Sequence, residues 1–197
     1  DPGKRAAILD AAKRLFVAQG FDGVSMDQIA SEAGVSKLTV YSHFGDKESL
    51  FGEAVRAHCE AGMPASLFEA DPTMPLRERL TSIGKAFFAM IMTPEAIAGH
   101  RILCSPQVAT SAMPEVFWEA GPQRVQKSFT ELLERRIAAG ELDIDDIERA
   151  AAQFFTLLKG EQHAKAVFGY CCSRRQDTPD EHVDAVVELF LRAYARR

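Results

Sequence analysis

The chain of 197 residues is predicted to be all-α, with about nine helices. Three observations predict this. Apolar side chains recur at i, i+3 and i+4 in segment after segment, and no stretch alternates with period two for long enough to make a useful strand. Most of these segments open on Ser, Thr or Asp, and several close on Gly or beside Pro, which are helix start and stop signals. The composition, 47% apolar and 26% charged, is that of an ordinary globular chain,. No run approaches the roughly eighteen apolar residues of a membrane-crossing helix, and no internal repeat is present.

The first predicted helix spans Lys4–Gln19, with Ile8, Leu9, Ala12, Leu15 and Phe16 on one stripe and Gly20 at its end,. Phe21 begins a loop, and Val24 is expected beneath the next helix. Ser25 caps that helix, with Gln28 as its capping-box partner. Met26, Ile29, Ala30 and Ala33 point inward, and Gly34 stands where a left-handed residue ends a helix. Val35 fills the turn, and Ser36 caps a helix that carries Val40 and Phe44 inward. Gly45 closes it. Asp46 caps a further helix from Lys47 to Cys59, with Leu50, Phe51, Ala54 and Val55 buried. Beyond Gly62-Met63-Pro64, the stretch Glu69–Pro75 is a proline-punctuated loop. Helices are then expected at 76–92 and 95–104, followed by a loop at 105–113. A long helix is expected at 114–139, kinked or interrupted at Pro122. The next runs to about Phe168 behind Asp145 as cap and Glu148 as its partner. In the last, Thr178, Pro179 and Glu181 form the cap, first position and box partner,.

Two short helices joined over a glycine-containing turn make a helix-turn-helix. The outward face of its second helix shows Lys37, Leu38, Thr39, Tyr41, Ser42 and His43, with Ser36 at the cap. Hydroxyls, a phenol, an imidazole and an ammonium on a short rod suit phosphate oxygens and base edges, and a helix fits a major groove. Lys47, at the start of a helix, suits a phosphate together with free backbone N–H groups. The charge runs the other way. The chain carries a net charge of -5, and residues 1–60 hold seven Lys/Arg against nine Asp/Glu. That argues against a tight non-specific binder of nucleic acid. A specific one needs only local positive groups, here Lys4, Arg5, Lys13, Arg14, Lys37 and Lys47.

Residues 5–55 resemble the DNA-binding domain of the TetR family of transcriptional regulators. The resemblance is carried by ILDAAKRLFVAQGFDGVSMDQIASEAGVSKLTVYSHFGDKESLF. It implies Ser25 and Thr39 at phosphates, Lys37, Leu38, Tyr41 and His43 on or near the recognition surface, and Lys47 at a phosphate. It also implies a DNA-binding domain over 1–60 and a ligand-binding and dimerisation domain over 61–197. The expected function is that of a ligand-responsive repressor, released from a palindromic duplex operator by a small apolar effector. The alternative is a helical ligand- or partner-binding module that does not bind DNA.

For the second half, the residues add two expectations. The last two helices, with Val183, Val186, Val187, Phe190, Leu191 and Tyr194, hold more large apolar side chains than one face needs, so a homodimer through them is expected,. The middle helices are rich in Phe and Met, which suits an apolar ligand pocket. Phe88, Met92, Phe117 and Trp118 are its candidate walls, and His100, Gln107, Gln126 and His163 its candidate polar groups. The five histidines are scattered, and no Ser/His/Asp or paired-carboxylate set stands at a telling spacing. Neither catalytic nor metal-binding residues, nor any cofactor, are therefore expected. Cys59, Cys104, Cys171 and Cys172 form no metal pattern and are expected as reduced thiols in the cytoplasm, with Cys104 a small buried hydrophobe,. No signal peptide is read, and a start at Asp1 without Met points to absent N-terminal residues.

Overall fold

The computed structural model describes residues 1–69, 71, 73–109, 111–170 and 178–196, with the backbone alone at 107 and 109. Among them run eleven α-helices: α1 Pro2–Gln19, α2 Met26–Glu32, α3 Lys37–Phe44, α4 Lys47–Gly62, α5 Leu76–Ile91, α6 Pro94–Leu103, α7 Pro106–Ala109, α8 Met113–Ala120, α9 Pro122–Ala138, α10 Ile147–Phe168 and α11 Pro179–Tyr194. A 3-10 turn at Ala65–Leu67 follows α4. The described residues contain no strand beyond one isolated antiparallel bridge, Leu142 to Ala195. No described helix is long and apolar enough to cross a membrane.

The helix count exceeds the expected nine for two local reasons. Pro106 opens a short helix, α7, inside the expected loop. The expected long helix is two, because Gly121 leaves the helical region and Pro122 restarts the chain as α9,. One cap also moves. Asp146, not Asp145, caps α10, its carboxylate accepting the Arg149 N–H at 3.0 Å. The box at Thr178 and Glu181 forms as expected. A break inside α10 has no counterpart in the sequence reading: Gly160 sits at φ 53, ψ -164.

Two compact units divide the chain differently from the expected cut at 60/61. The first comprises Asp1–His58 and Thr93–Pro122, the second Cys59–Met92 and Gln123–Arg197. Sequence order assigns 93–122 to the later domain, but its packing is with the first unit. Val108 and Met113 are buried in the same apolar cluster as Ile8, Phe16, Val40 and Leu50. Val116 of α8 lies so close to α4 that a Cβ at Gly52 would come within 2.7 Å of its Cγ1. The Phe16, Phe21 and Phe51 rings meet at 5.5 to 5.8 Å in this unit.

In the second unit, α5, α9, α10 and α11 enclose a phenylalanine-rich core. Phe129 stacks on Phe154 at 4.8 Å, and Phe154 meets Phe190 edge-on at 5.2 Å. Such pairs add about 0.5–1.5 kcal/mol beyond the area they bury. Val183, Val186, Val187 and Phe190, four of the six apolar residues read at seam-like spacing on the last helix, belong to this core. Arginines hold the connection between α4 and α5. Buried Arg79 donates to the Leu67 carbonyl at 3.2 Å, Arg135 to that of Phe68, and buried Arg136 to that of Met74 at 3.0 Å. These guanidiniums satisfy loop carbonyls that a core would otherwise leave unpaired.

Candidate DNA-binding surface

The reading element is built from local hydrogen bonds. Ser25 Oγ accepts the Gln28 N–H at 3.2 Å, and Gln28 Oε1 accepts the Ser25 N–H at 2.7 Å, which closes the predicted capping box. The turn after α2 is a Schellman motif. The Gly34 N–H donates to Ser31 at 3.2 Å and the Val35 N–H to Ala30 at 3.0 Å, with Gly34 at φ 66,. A side chain with a Cβ would be strained there, so the turn angle depends on that glycine. Ser36 then caps α3 by accepting the Thr39 N–H at 3.2 Å, and its hydroxyl shares a 2.8 Å hydrogen bond with that of Thr39.

With Val40 and Phe44 buried on one side, α3 presents its other side to solvent. Leu38 is 79% exposed and Tyr41 42% exposed on that side. Ser36, Lys37 and Ser42 are exposed with them, and Thr39 and His43 are half-buried. Ser42 Oγ donates to the Thr39 carbonyl at 2.9 Å, and the His43 ring leans on Phe44. Ser25 is exposed at the start of α2. The nine candidate contacts therefore fall on two short helices and the start of a third.

Their charges are not loose. Lys37 Nζ lies 2.9 Å from Asp27 Oδ1 and 3.0 Å from its Oδ2. It also stands 5.9 Å from the Tyr41 ring centre. The hydrogen bond to Asp27, and then its charge, hold the Lys37 ammonium above its ordinary range. Lys47 is half-buried. Its Nζ donates to the carbonyls of Phe21 at 2.8 Å and Val24 at 3.0 Å, and lies 4.2 Å from the Phe21 ring centre. Two of its three donors thus already brace the loop before α2. Arg5 pairs with Glu53 and lies over the Phe44 ring, and Arg14 pairs with Glu32 at 3.0 Å. Sequence spacing hid these partners, Asp27 among them, because each lies on another helix. The only hint was the acidic balance of the first sixty residues.

This geometry is a helix-turn-helix whose second helix is free on its polar side. A model of the bacterial regulatory proteins of the tetR family matches residues 8–54. A model of the C-terminal domain of AefR-like transcriptional repressors matches residues 78–196. The chain belongs to the TetR family. It is a helix-turn-helix transcriptional regulator, in a family that is not one of enzymes. It is similar to a TetR-family regulator from Mesorhizobium loti, with 30% identity, TM-score 0.81, and 98% of this chain and 97% of that one covered. The flavonoid-responsive regulator FrrA is also 30% identical, with TM-score 0.77 and full coverage of both chains. The transcriptional activator FasR of Mycolicibacterium smegmatis is 34% identical over 112 residues, which are 54% of this chain and half the length of FasR.

The residues expected to bind a ligand do not fall in one unit. Phe88, Met92, Gln126 and His163 belong to the second, and His100, Phe117 and Trp118 to the first. Phe88 is buried against His182, with ring centres 5.2 Å apart, and His163 is buried. His100 meets Phe117 edge-on at 5.5 Å and donates through Nδ1 to the Ala96 carbonyl at 2.7 Å. Trp118 is exposed. The expectation for Cys104 is overturned: it is exposed, because it caps the C-terminal end of α6 rather than facing a core. Cys59 is the buried thiol, and burial pushes it up to about 11. Cys171, Cys172 and the Gln107 side chain lie outside the described residues.

Proposed function

We propose that this TetR-family regulator is a homodimeric, effector-responsive repressor that reads a palindromic operator with Lys37, Leu38, Tyr41 and His43, flanked by Ser36 and Ser42 and aided by Ser25, Thr39 and Lys47 at phosphates. The observation that carries the reading is α3 itself, with Val40 and Phe44 buried and Leu38, Tyr41 and Lys37 exposed on the opposite side. A single short helix reads few base pairs. A two-fold pair reads two half-sites about 34–36 Å apart, one turn of the duplex.

The second copy is proposed to dock on α10 and α11. Leu157 and Leu189 are 41% and 53% exposed there, and flank an apolar groove of about 420 Å³ that Phe154, Phe190 and Tyr194 also line. The effector is proposed to be small and largely apolar, met by Phe88 and Met92 and oriented by Gln126 and His163, with His100, Phe117 and Trp118 as further candidate contacts. The name of FrrA, a flavonoid-responsive regulator, supports an aromatic effector. The effector acts only through its different affinities for the DNA-competent and incompetent states. The helix α4 supplies residues to both units and is the proposed coupling element. The protein works in the cytoplasm, with its DNA.

A gel-shift titration of wild type and Tyr41→Ala against the duplex upstream of the protein's own gene, or against a duplex selected from a random pool, tests this. Wild type is expected to bind at about 10⁻⁸ M or tighter. Tyr41→Ala should lose that binding while staying folded and dimeric. Failure of the wild type to select any duplex would favour the module that does not bind DNA.

A further inference from the structure

Six basic groups are available to the reading head, and three of them are ion-paired within it. Arg5 is held by Glu53, Arg14 by Glu32 and Lys37 by Asp27. A fourth, Lys47, is occupied by two backbone carbonyls. The acidic balance of residues 1–60 is therefore placed in part directly on the bases. Among these pairs, Lys37 with Asp27 stands apart by position. Lys37 is the first residue of α3, Asp27 lies in the first turn of α2, and both are exposed. Both carboxylate oxygens lie within 3.0 Å of Nζ, and the Tyr41 ring stands behind it at 5.9 Å.

Non-specific binding comes almost wholly from cations neutralising phosphates, whereas sequence is read at base edges. A lysine held by a carboxylate must give up that partner to reach a phosphate, and it brings the carboxylate toward the phosphate's own negative charge. Turned to the O6 and N7 acceptors of a guanine, it meets a neutral edge that does not repel Asp27. The pair therefore penalises the backbone-bound state more than the base-bound one.

We infer that Asp27 is a specificity-determining residue, which presents Lys37 beside Tyr41 to a base edge and suppresses its use as a general phosphate clamp. The inference rests on the assignment of the α3 face to DNA. No sequence rule of helix spacing reveals it, because Asp27 and Lys37 lie on different helices on either side of the turn.

The test measures Kd across a salt series for wild type, Asp27→Asn, Asp27→Glu, Lys37→Gln and the Asp27→Asn/Lys37→Gln pair. The probes are a duplex selected by the wild type from a random pool and a scrambled duplex of equal length. Asp27→Asn is expected to tighten scrambled binding about two- to fivefold, the range a released surface ion pair supports. It should also steepen the salt slope there by about 0.9, one phosphate's worth. Affinity for the selected duplex should change less, so that the specificity ratio falls. Asp27→Glu should keep the wild-type ratio, and the Asn step should vanish in the Lys37→Gln background. An unchanged ratio in Asp27→Asn, an unaltered scrambled affinity, or a lost ratio in Asp27→Glu would overturn the inference. Thermal unfolding of each variant separates misfolding from these outcomes, and the Glu variant still decides if the Asn variant unfolds. Tyr41→Ala distinguishes the two levels. If it abolishes selected binding while the Asp27→Asn ratio stays put, only this inference fails. If Tyr41→Ala binds as wild type does, the surface assignment and the inference fall together.

Discussion

His182 on α11 donates its Nε2 proton to the main-chain carbonyl of Leu158, 2.9 Å away, just where Gly160 breaks α10. The carbonyl lies two residues before the break, and an imidazole from the neighbouring helix donates to it. Only glycine readily adopts φ 53, ψ -164, and a Cβ there would stand 3.0 Å from His182 Cε1. Gly160→Ala is therefore expected to lose about 1–3 kcal/mol of stability. His182→Ala, which removes this hydrogen bond, should lose about 1–2 kcal/mol. Urea titrations of both variants measure this. A Gly160→Ala protein as stable as wild type would show that α10 closes straight without penalty.

Leu157 on α10 and Leu189 on α11 are exposed leucines that flank the groove lined by Phe154, Phe190 and Tyr194, and Phe168 is exposed at the end of α10. Leu157→Glu with Leu189→Glu is expected to shift the protein from dimer to monomer in sedimentation at micromolar concentration. Helicity should be unchanged, since neither side chain supports the core. Operator binding should weaken with it, because half-site spacing needs the pair.

The two described cysteines should differ in reactivity. Thiolate is the reacting form, and burial holds Cys59 up at about 11 while Cys104 is exposed. At pH 8, brief treatment with iodoacetamide should label the Cys104 peptide and leave that of Cys59 largely unmodified until the protein is unfolded. Peptide mass mapping reads this directly.

Glu181 closes the cap of α11, and hydrogen bonds from the Thr178 N–H and hydroxyl hold its carboxyl below the ordinary value. A folded pKa below the unfolded one means that the contribution is present above the ordinary carboxylate value and lost as pH falls through the folded one. Glu181→Gln keeps a capping side chain but does not titrate. The stability difference between wild type and Glu181→Gln should stay constant at neutral pH and narrow as pH falls below about 4.3. Asp46, lowered by the Ser49 N–H, carries the same sign.

The sequence by itself determined what depends on neighbours within four residues. Ser25 with Gln28, Thr178 with Glu181, Gly34 in the turn and the burial of Val40 and Phe44 are all hydrogen bonds or spacings inside one or two turns of chain. Such local patterns survive in any tertiary setting, so the helix-turn-helix and its exposed face were legible. Where two local signals competed, as at Asp145 and Asp146, geometry chose between adjacent residues. Tertiary structure alone decided the rest. The pairing of the Leu158 carbonyl beside the Gly160 break depends on His182 from another helix, and the packing of 93–122 with the first unit depends on where Val108 and Met113 find apolar surface. The pairing of Asp27 with Lys37 depends on the angle between two helices. Periodicity marked the last two helices as apolar without saying which side chains the core would take, and that was settled when Phe129, Phe154 and Phe190 filled it and left Leu157 and Leu189 outside.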